Sequence, residues 1–422
     1  MVRFRLILTR CLVLGLAMLG SECLAANVIA DWKQVGEATI SGSGRKNAVA
    51  LPYYAYLSVA MYDAVTAIDR RYEPFAVRIH APRGASEDAA AATAAHDVLA
   101  HYFSAQATAL DADLANSLSA IPDGQSKTDG ITVGHTVAAQ WLALRAGDGL
   151  EAALIFTPGH GPGIWEPVPT YPAAPPNTPP PPVGVWLREF KPFALVSADQ
   201  FLEDVPPPPA LTSERWARDF NRTKDFGALN STVRTAAETE IGRFWTDDAG
   251  AQYSRAMRGL MDTQALDTAR SARLSAMGSV ALSDSVTACF NAKYHYAFWR
   301  PYTAIHDADP SINPQTVPDP NWIPLAVTPG HPEYPAAHGC GTQALADALT
   351  AFFGTDEVPF VVTSAVTGTT HTFTSFEDVV REVDNARIYG GMHYHNSVKQ
   401  GNRLGSRVVE YMLKHHFRGK DE

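Results

Sequence analysis

The run ARLSAMGSVALSDSVTACFNAKYHYAFWRP, residues 272–301, constrains the fold more than any other part of the chain. Small and apolar residues surround it at helical spacing, leaving no polar face for water, and a helix of that kind belongs in the interior of a helical assembly. It delivers two cations, Lys293 and Arg300, seven residues apart. Seven residues are two helical turns, so the spacing predicts both cations on one helix face, carried inside. Tyr294, Tyr296, Phe298 and Trp299 lie between them, too apolar a set for a solvated, surface-paired face.

The remaining patterning agrees with an all-α chain. Residues 48–69, 87–103, 107–119 and 131–145 are rich in Ala and Leu, with apolar residues at three- and four-residue intervals, and strand alternation is scarce. Helical patterning resumes from residue 213, with a helix over GCGTQALADALTAFFG, a turn or loop over 385–391 and a closing helix over 396–416. Between them, residues 158–209 carry PPNTPPPP and VPPPP, where missing amide donors forbid a continuous helix. A free linker is one reading of this tract. Trp165, Trp186, Phe190, Phe193 and Phe201 favour the other, an irregular connection packed over the helices.

Residues 1–25 read as a secretory signal peptide: Arg3, Arg5 and Arg10, then CLVLGLAMLG, then small residues before Ala26. The apolar run is too short to span a bilayer, and no later stretch is long enough, so we expect a secreted or periplasmic product without a membrane span. Cleavage would leave about 397 residues. Length alone permits two domains, and we expect one helical unit over 26–422 with its site within 285–410. The formal charge of −10 becomes −12 without the leader, which argues against nucleic-acid partners. Cys11 and Cys23 leave with the leader. Cys289 lies one helical turn before Lys293 and Cys340 two residues after His338, so in an oxidising compartment they are candidates for one disulfide.

Chemistry concentrates in three segments. KYHYAFWRP contributes Lys293 and Arg300, YPAAHG contributes His338, and ARIYGGMH contributes Arg387 and His393. Three cations and two imidazoles suit a tetrahedral oxyanion held by charge-assisted hydrogen bonds, with a histidine to attack or ligate and another to move protons. His338 near a helix amino end adds unpaired amides, Ala337 among them, that favour an anion. Further histidines at 295, 306, 371, 395, 415 and 416 raise zinc as an alternative, but no His-Glu-x-x-His or cysteine pair accompanies them. Gly-x-Ser-x-Gly and phosphate-loop motifs are missing from the sequence as well.

Lys-x6-Arg-Pro, Pro-x-x-His and Arg-x5-His, in that order, resemble the three-part signature of the vanadium-dependent haloperoxidase and type 2 phosphatidic acid phosphatase superfamily. LPYYAYLSVAMYDAVTAIDRRYEPF, the proline-rich middle and HPEYPAAHG extend the resemblance to the bacterial secreted, vanadium chloroperoxidase-like branch. The resemblance implies two four-helix bundles with the oxyanion inside one of them. It implies that Lys293, Arg300, Arg387 and the amide of Ala337 hold vanadate or phosphate, that His338 is the acid-base group, and that His393 is the axial vanadium ligand or the phosphorylated nucleophile.

Two positions depart from that pattern. Pro335-Ala336-Ala337-His338 stands where Pro-Ser-Gly-His is usual, which removes one donor worth roughly 1.5–3 kcal/mol to a charged acceptor. Ser397 stands where the signature often has aspartate. His331 occupies a position that resembles the algal bromoperoxidases, where chloroperoxidases tend to carry phenylalanine, so it points to bromide or to a supporting role around the site; a structural histidine in a Pro-Gly-His-Pro turn is the plainer reading. The readings are therefore a haloperoxidase using vanadate, hydrogen peroxide and bromide, a secreted acid phosphatase cleaving phosphate monoesters through a phosphohistidine without a cofactor, or a catalytically silent oxyanion-binding protein.

Overall fold

A computed structural model describes residues 27–169, 179 and 181–420; the expected signal peptide and part of the proline-rich tract lie outside the described residues. Thirteen α-helices are present among them: α1 (Val28–Gly42), α2 (Leu51–Asp69), α3 (Glu87–Tyr102), α4 (Ala107–Ser119), α5 (Gln125–Arg145), α6 (Glu214–Gly227), α7 (Ala236–Phe244), α8 (Ala249–Thr263), α9 (Thr268–Tyr296), α10 (Pro301–Asp307), α11 (Ala337–Phe353), α12 (Phe376–Tyr389) and α13 (His395–His415). A small antiparallel hairpin, β1 (Phe360–Thr363) with β2 (Thr370–Phe373), pairs Phe360 with Phe373. The fold is all-α apart from this hairpin. No described helix is long and apolar enough to cross a membrane.

Two groups of four helices make the body. The first is α1, α2, α3 and α5; the second is α9, α11, α12 and α13, and α2 packs on α9 to join them. The 29-residue α9 starts from Asp267, whose carboxylate accepts the Arg270 amide at 2.7 Å, and nearly every side chain from Ala269 to Tyr294 is buried. α11 and α13 approach to backbone contact. A Cβ on Gly401 would lie 2.5 Å from the Ala336 carbonyl oxygen, and one on Gly405 would lie 2.3 Å from that of Cys340. Only glycine permits that approach, which brings the amino ends of α11 and α13 together.

α9 does not extend to Arg300. It stops at Tyr296, Ala297 takes a left-handed conformation (φ 44°), and Arg300 becomes the extended residue preceding α10. Pro301 at the start of α10 explains the break, because a residue before proline is pushed out of the helical region. Lys293 and Arg300 are thus not two turns of one helix. Arg387 departs from expectation in the opposite sense: it sits in the last turn of α12, and the loop is confined to the residues just before α13.

The described part of the proline-rich tract packs on the helices. Trp165, Trp186, Phe190, Phe193 and Phe201 are all buried. Asp284, at the centre of α9, accepts the amides of Phe193, Ala194 and Leu195 at 2.7, 2.7 and 3.1 Å, and Arg145 donates to the carbonyls of Lys191 and Pro192. A segment unable to build its own ladder takes its partners from α9 and α5 instead. Burial pushes the Asp284 carboxyl up to about 6 despite these three amides. Asp284→Ala removes the acceptor of three buried amides and is expected to cost about 3–5 kcal/mol, read as a fall in the denaturant midpoint. A loss below about 1 kcal/mol would show that the tract is held by its aromatic side chains alone.

Candidate active site

A cavity of about 750 Å³ opens between the two bundles. Leu282, Val286 and Phe290 of α9 form an apolar wall, while His338 and Thr342 of α11, Arg387 of α12, His393 and His331 supply the polar end. Tyr253 of α8 shares a short hydrogen bond with Thr342 there.

The three cations are fully buried, and backbone carbonyls hold them. Lys293 Nζ donates to the carbonyls of Pro332 and Glu333 at 3.0 and 2.8 Å. Arg300 donates to the carbonyls of His331 and Met392, each at 2.9 Å, to His393 Nε2 at 3.1 Å and to His331 Nδ1 at 3.0 Å. Arg387 Nη2 donates to the Trp245 carbonyl at 2.6 Å, and its Nε has no partner. Burial lowers Lys293 to about 8 and both arginines to about 10. A cation loses stabilisation when taken out of water, and carbonyl dipoles replace only part of it.

All five expected side chains meet. Burial first, then Lys293, Arg300 and Arg387 together, drives His338 and His393 well below the ordinary imidazole range, so both are neutral. His331 lies beside Arg300, packs on Phe290 at a ring-centroid distance of 4.8 Å and is neutral for the same reasons. Ala337 lines the cavity, and Ala336 is the residue before α11 with no side-chain cap, so the first amides of α11 lack intrahelical acceptors. Ala336 itself packs with Ile388 and Val398 and does not line the cavity.

One residue of the site has no counterpart among the sequence expectations. Glu333, fully buried, accepts from His393 Nδ1 at 2.9 Å and from the Tyr394 amide at 3.1 Å through the same oxygen. With the proton on Nδ1, the lone pair of His393 lies on Nε2, the nitrogen that faces Arg300. Burial raises the Glu333 carboxyl to about 7, while Lys293 and Arg300 pull it down. Ser397, at the signature's frequent aspartate position, lies close enough to lower it too. A carboxylate wedged between two prolines in HPEYP was the available signal.

Cys289 and Cys340 are buried free thiols, so the expected disulfide is not formed. The segments do meet: Cys289 is a hydrogen-bond and charge neighbour of Cys340. The Cys289 thiol is turned to the Pro335 carbonyl at 3.6 Å, away from a bonding geometry. Among the described residues no group of histidine, cysteine or carboxylate side chains is arranged to hold a metal ion; His371, for example, lies between Glu240 and Glu382.

Residues 273–419 match the family model for the VCPO second helical-bundle domain. No curated protein matches the chain. Among solved structures it is similar to the first bacterial vanadium-dependent iodoperoxidase, with a TM-score of 0.75 and 22% identity over 94% of this chain and 97% of that one. It is also similar to a bacterial vanadium-dependent chloroperoxidase in its holo form, with a TM-score of 0.69 and 15% identity over 87% and 92%, and in its apo form, with a TM-score of 0.65 and 15% identity over 87% and 93%. The chain thus has the fold of the vanadium haloperoxidase superfamily, with that family's second helical bundle in residues 273–419.

Proposed function

We propose that this protein is a vanadate-dependent haloperoxidase that oxidises a halide, bromide by preference, with hydrogen peroxide. One observation carries the reading: three buried cations, in no contact ion pair, act on a neutral histidine whose free nitrogen faces Arg300 and whose tautomer is fixed by a buried carboxylate. Such a cluster is complementary to a multiply charged oxyanion and to little else. The residues fit vanadate, because Arg387 Nε is a buried donor in need of an acceptor and the first amides of α11 lie beside it in the same cavity. Lys293, Arg300, Arg387 and the Ala337 amide would hold its oxygens, and His393 Nε2 would ligate vanadium. Vanadate, when bound, supplies a Lewis-acidic centre that activates peroxide towards halide.

The chain's own residues do the remaining work. Glu333 keeps the proton on Nδ1 and so keeps Nε2 available. Arg300 releases Nε2 as its N–H groups turn to the oxyanion. The incoming negative charge offsets the repulsion that holds His338 neutral, bringing that imidazole back towards the range where it exchanges protons with peroxide. Neutral His331, with Phe290 beside it, lines the approach for a halide. A second reading, phosphate-ester hydrolysis through a phosphohistidine at His393, is favoured by the free Nε2 of that histidine, which can attack phosphorus as readily as it can ligate vanadium.

Bromination and phosphate-ester hydrolysis, measured on one preparation with and without added vanadate, separate the two. Vanadate-dependent bromination is expected, and hydrolysis that vanadate inhibits, without bromination, would replace the proposal with the second reading. His393→Ala is expected to abolish vanadate binding, whereas His338→Ala leaves binding within a few-fold and lowers kcat by about 10²–10⁴. Equal losses of affinity in the two variants would contradict the division of roles.

The sign of the pH effect follows from Glu333. Its folded-state value is raised to about 7 by burial, so below that pH it is neutral and offers His393 Nδ1 only an uncharged acceptor, while above it the carboxylate makes the stronger, charge-assisted bond. Activity should therefore rise with pH through an acid limb at about 7. Glu333→Gln retains an acceptor oxygen but not the charge, and exchanging a charged for a neutral hydrogen bond is worth roughly a factor of ten. The variant is expected to be about tenfold slower and to lack the limb; a limb that persists unchanged belongs to another group.

A further inference from the structure

A second hollow, of about 300 Å³, lies between α6 and α13 and shares no lining residue with the cavity above. Arg215 and Arg218, three residues apart, present one face of α6 to it; Lys399 and Arg403, four apart, present one face of α13. His395 and Gln400 complete the wall, and Asp219 is its only carboxylate. The chain as a whole carries a formal charge of −10, so four cations around one hollow reverse the local sign.

Little within the protein answers that charge. Asp219 is occupied in accepting the Asn396 amide at 3.0 Å, which caps the first turn of α13. Arg218 has only a solvent-exposed contact with Glu214 at 3.6 Å, and Arg403 reaches only the side-chain oxygen of Gln400 at 3.3 Å. Arg215 and Lys399 make no contact ion pair or hydrogen bond among the described residues, and the carboxylates of Asp219 and Asp384 act on them only through space. Gln400 is 94% buried and lines the hollow, where its side-chain oxygen accepts from Arg403. Three forked guanidiniums and an ammonium are donors only, and they come from two rigid helices.

We propose that this hollow is a second anion site, which takes a doubly charged tetrahedral oxyanion, phosphate or sulfate. Bidentate guanidinium contacts match such an ion, and the volume admits it with some of its water. A halide has no use for forked donors, and a nucleic acid needs a stripe of charge along a surface where this chain offers one hollow. The proposal is independent of the haloperoxidase reading. It makes the protein a binder of two oxyanions per chain, one among the buried cations and one between α6 and α13.

Equilibrium dialysis of the full chain against radiolabelled inorganic phosphate tests it by stoichiometry. Wild type is expected to take two phosphates, and Arg215→Ala/Arg403→Ala only one, with the lost site weakened at least tenfold. Arg78→Ala/Arg83→Ala, which removes two exposed cations elsewhere, should match wild type. One phosphate in wild type and none in the Arg215/Arg403 variant would uphold this site while sinking the oxyanion reading of the buried cations. Equal binding by wild type and the Arg215/Arg403 variant overturns the proposal, and so does an equal loss in the Arg78/Arg83 control, which would mean diffuse attraction. Thermal melts of the variants, which alter exposed side chains, verify that each is folded.

Discussion

The structure depends on three cations buried with no carboxylate of their own. Lys293, Arg300 and Arg387 are held by the carbonyls of His331, Pro332, Glu333, Met392 and Trp245. Carbonyl dipoles orient a cation without neutralising it, so the cost of taking each from water is only partly offset. The one nearby carboxylate, Glu333, is engaged with His393 and the Tyr394 amide. A fold that tolerates this arrangement has its charge already in place for an anion, and no reorganisation is needed when the anion arrives.

Holding those side chains still is what the helical framework contributes. α9 carries Lys293 into the interior on a helix with no wet face, and its break at Ala297 lets Arg300 approach from a new direction. The glycine contacts between α11 and α13 set His338 and the His393 segment at a fixed separation, because backbone packed on backbone has no rotamers to adjust. Trp245 adds a carbonyl from a segment 142 residues distant from Arg387 in sequence, and Glu333 adds a carboxylate 60 residues from His393.

Those separations mark the limit of what could be read in the sequence. Helical period, the proline tract and the three cation and histidine motifs were legible because each is a local pattern: α4 spans residues 107–119 as the periodicity predicts, and α2 and α3 differ from it only at their ends. The break before Arg300 was also written locally, in Pro301, but a seven-residue spacing argued for one continuous helix and outweighed it. Trp245 was not legible, and Glu333 showed only as a carboxylate between prolines, since a carbonyl or a carboxylate declares its partner only after the chain has folded. The cysteine pair falls between these cases: sequence position brought the two sulfurs into hydrogen-bonding reach, and both remain free thiols.

The departures from the family signature become intelligible at the same level. Ser397 replaces a frequent aspartate, yet a carboxylate still reaches His393, from Glu333 in a different segment. A second carboxylate at 397 would crowd Glu333, raise its already elevated pKa and weaken its hold on the Nδ1 proton. Ala336 replaces a serine at the amino end of α11 and packs on Ile388 and Val398 outside the cavity lining, so no side chain caps the helix's orphan amides. Without that hydroxyl the amides of the first turn stay unclaimed, and an oxyanion held by three cations can satisfy them directly. A cap would have taken one of those amides, so the charge on Lys293, Arg300 and Arg387, more than the missing hydroxyl, governs whether this site holds an oxyanion.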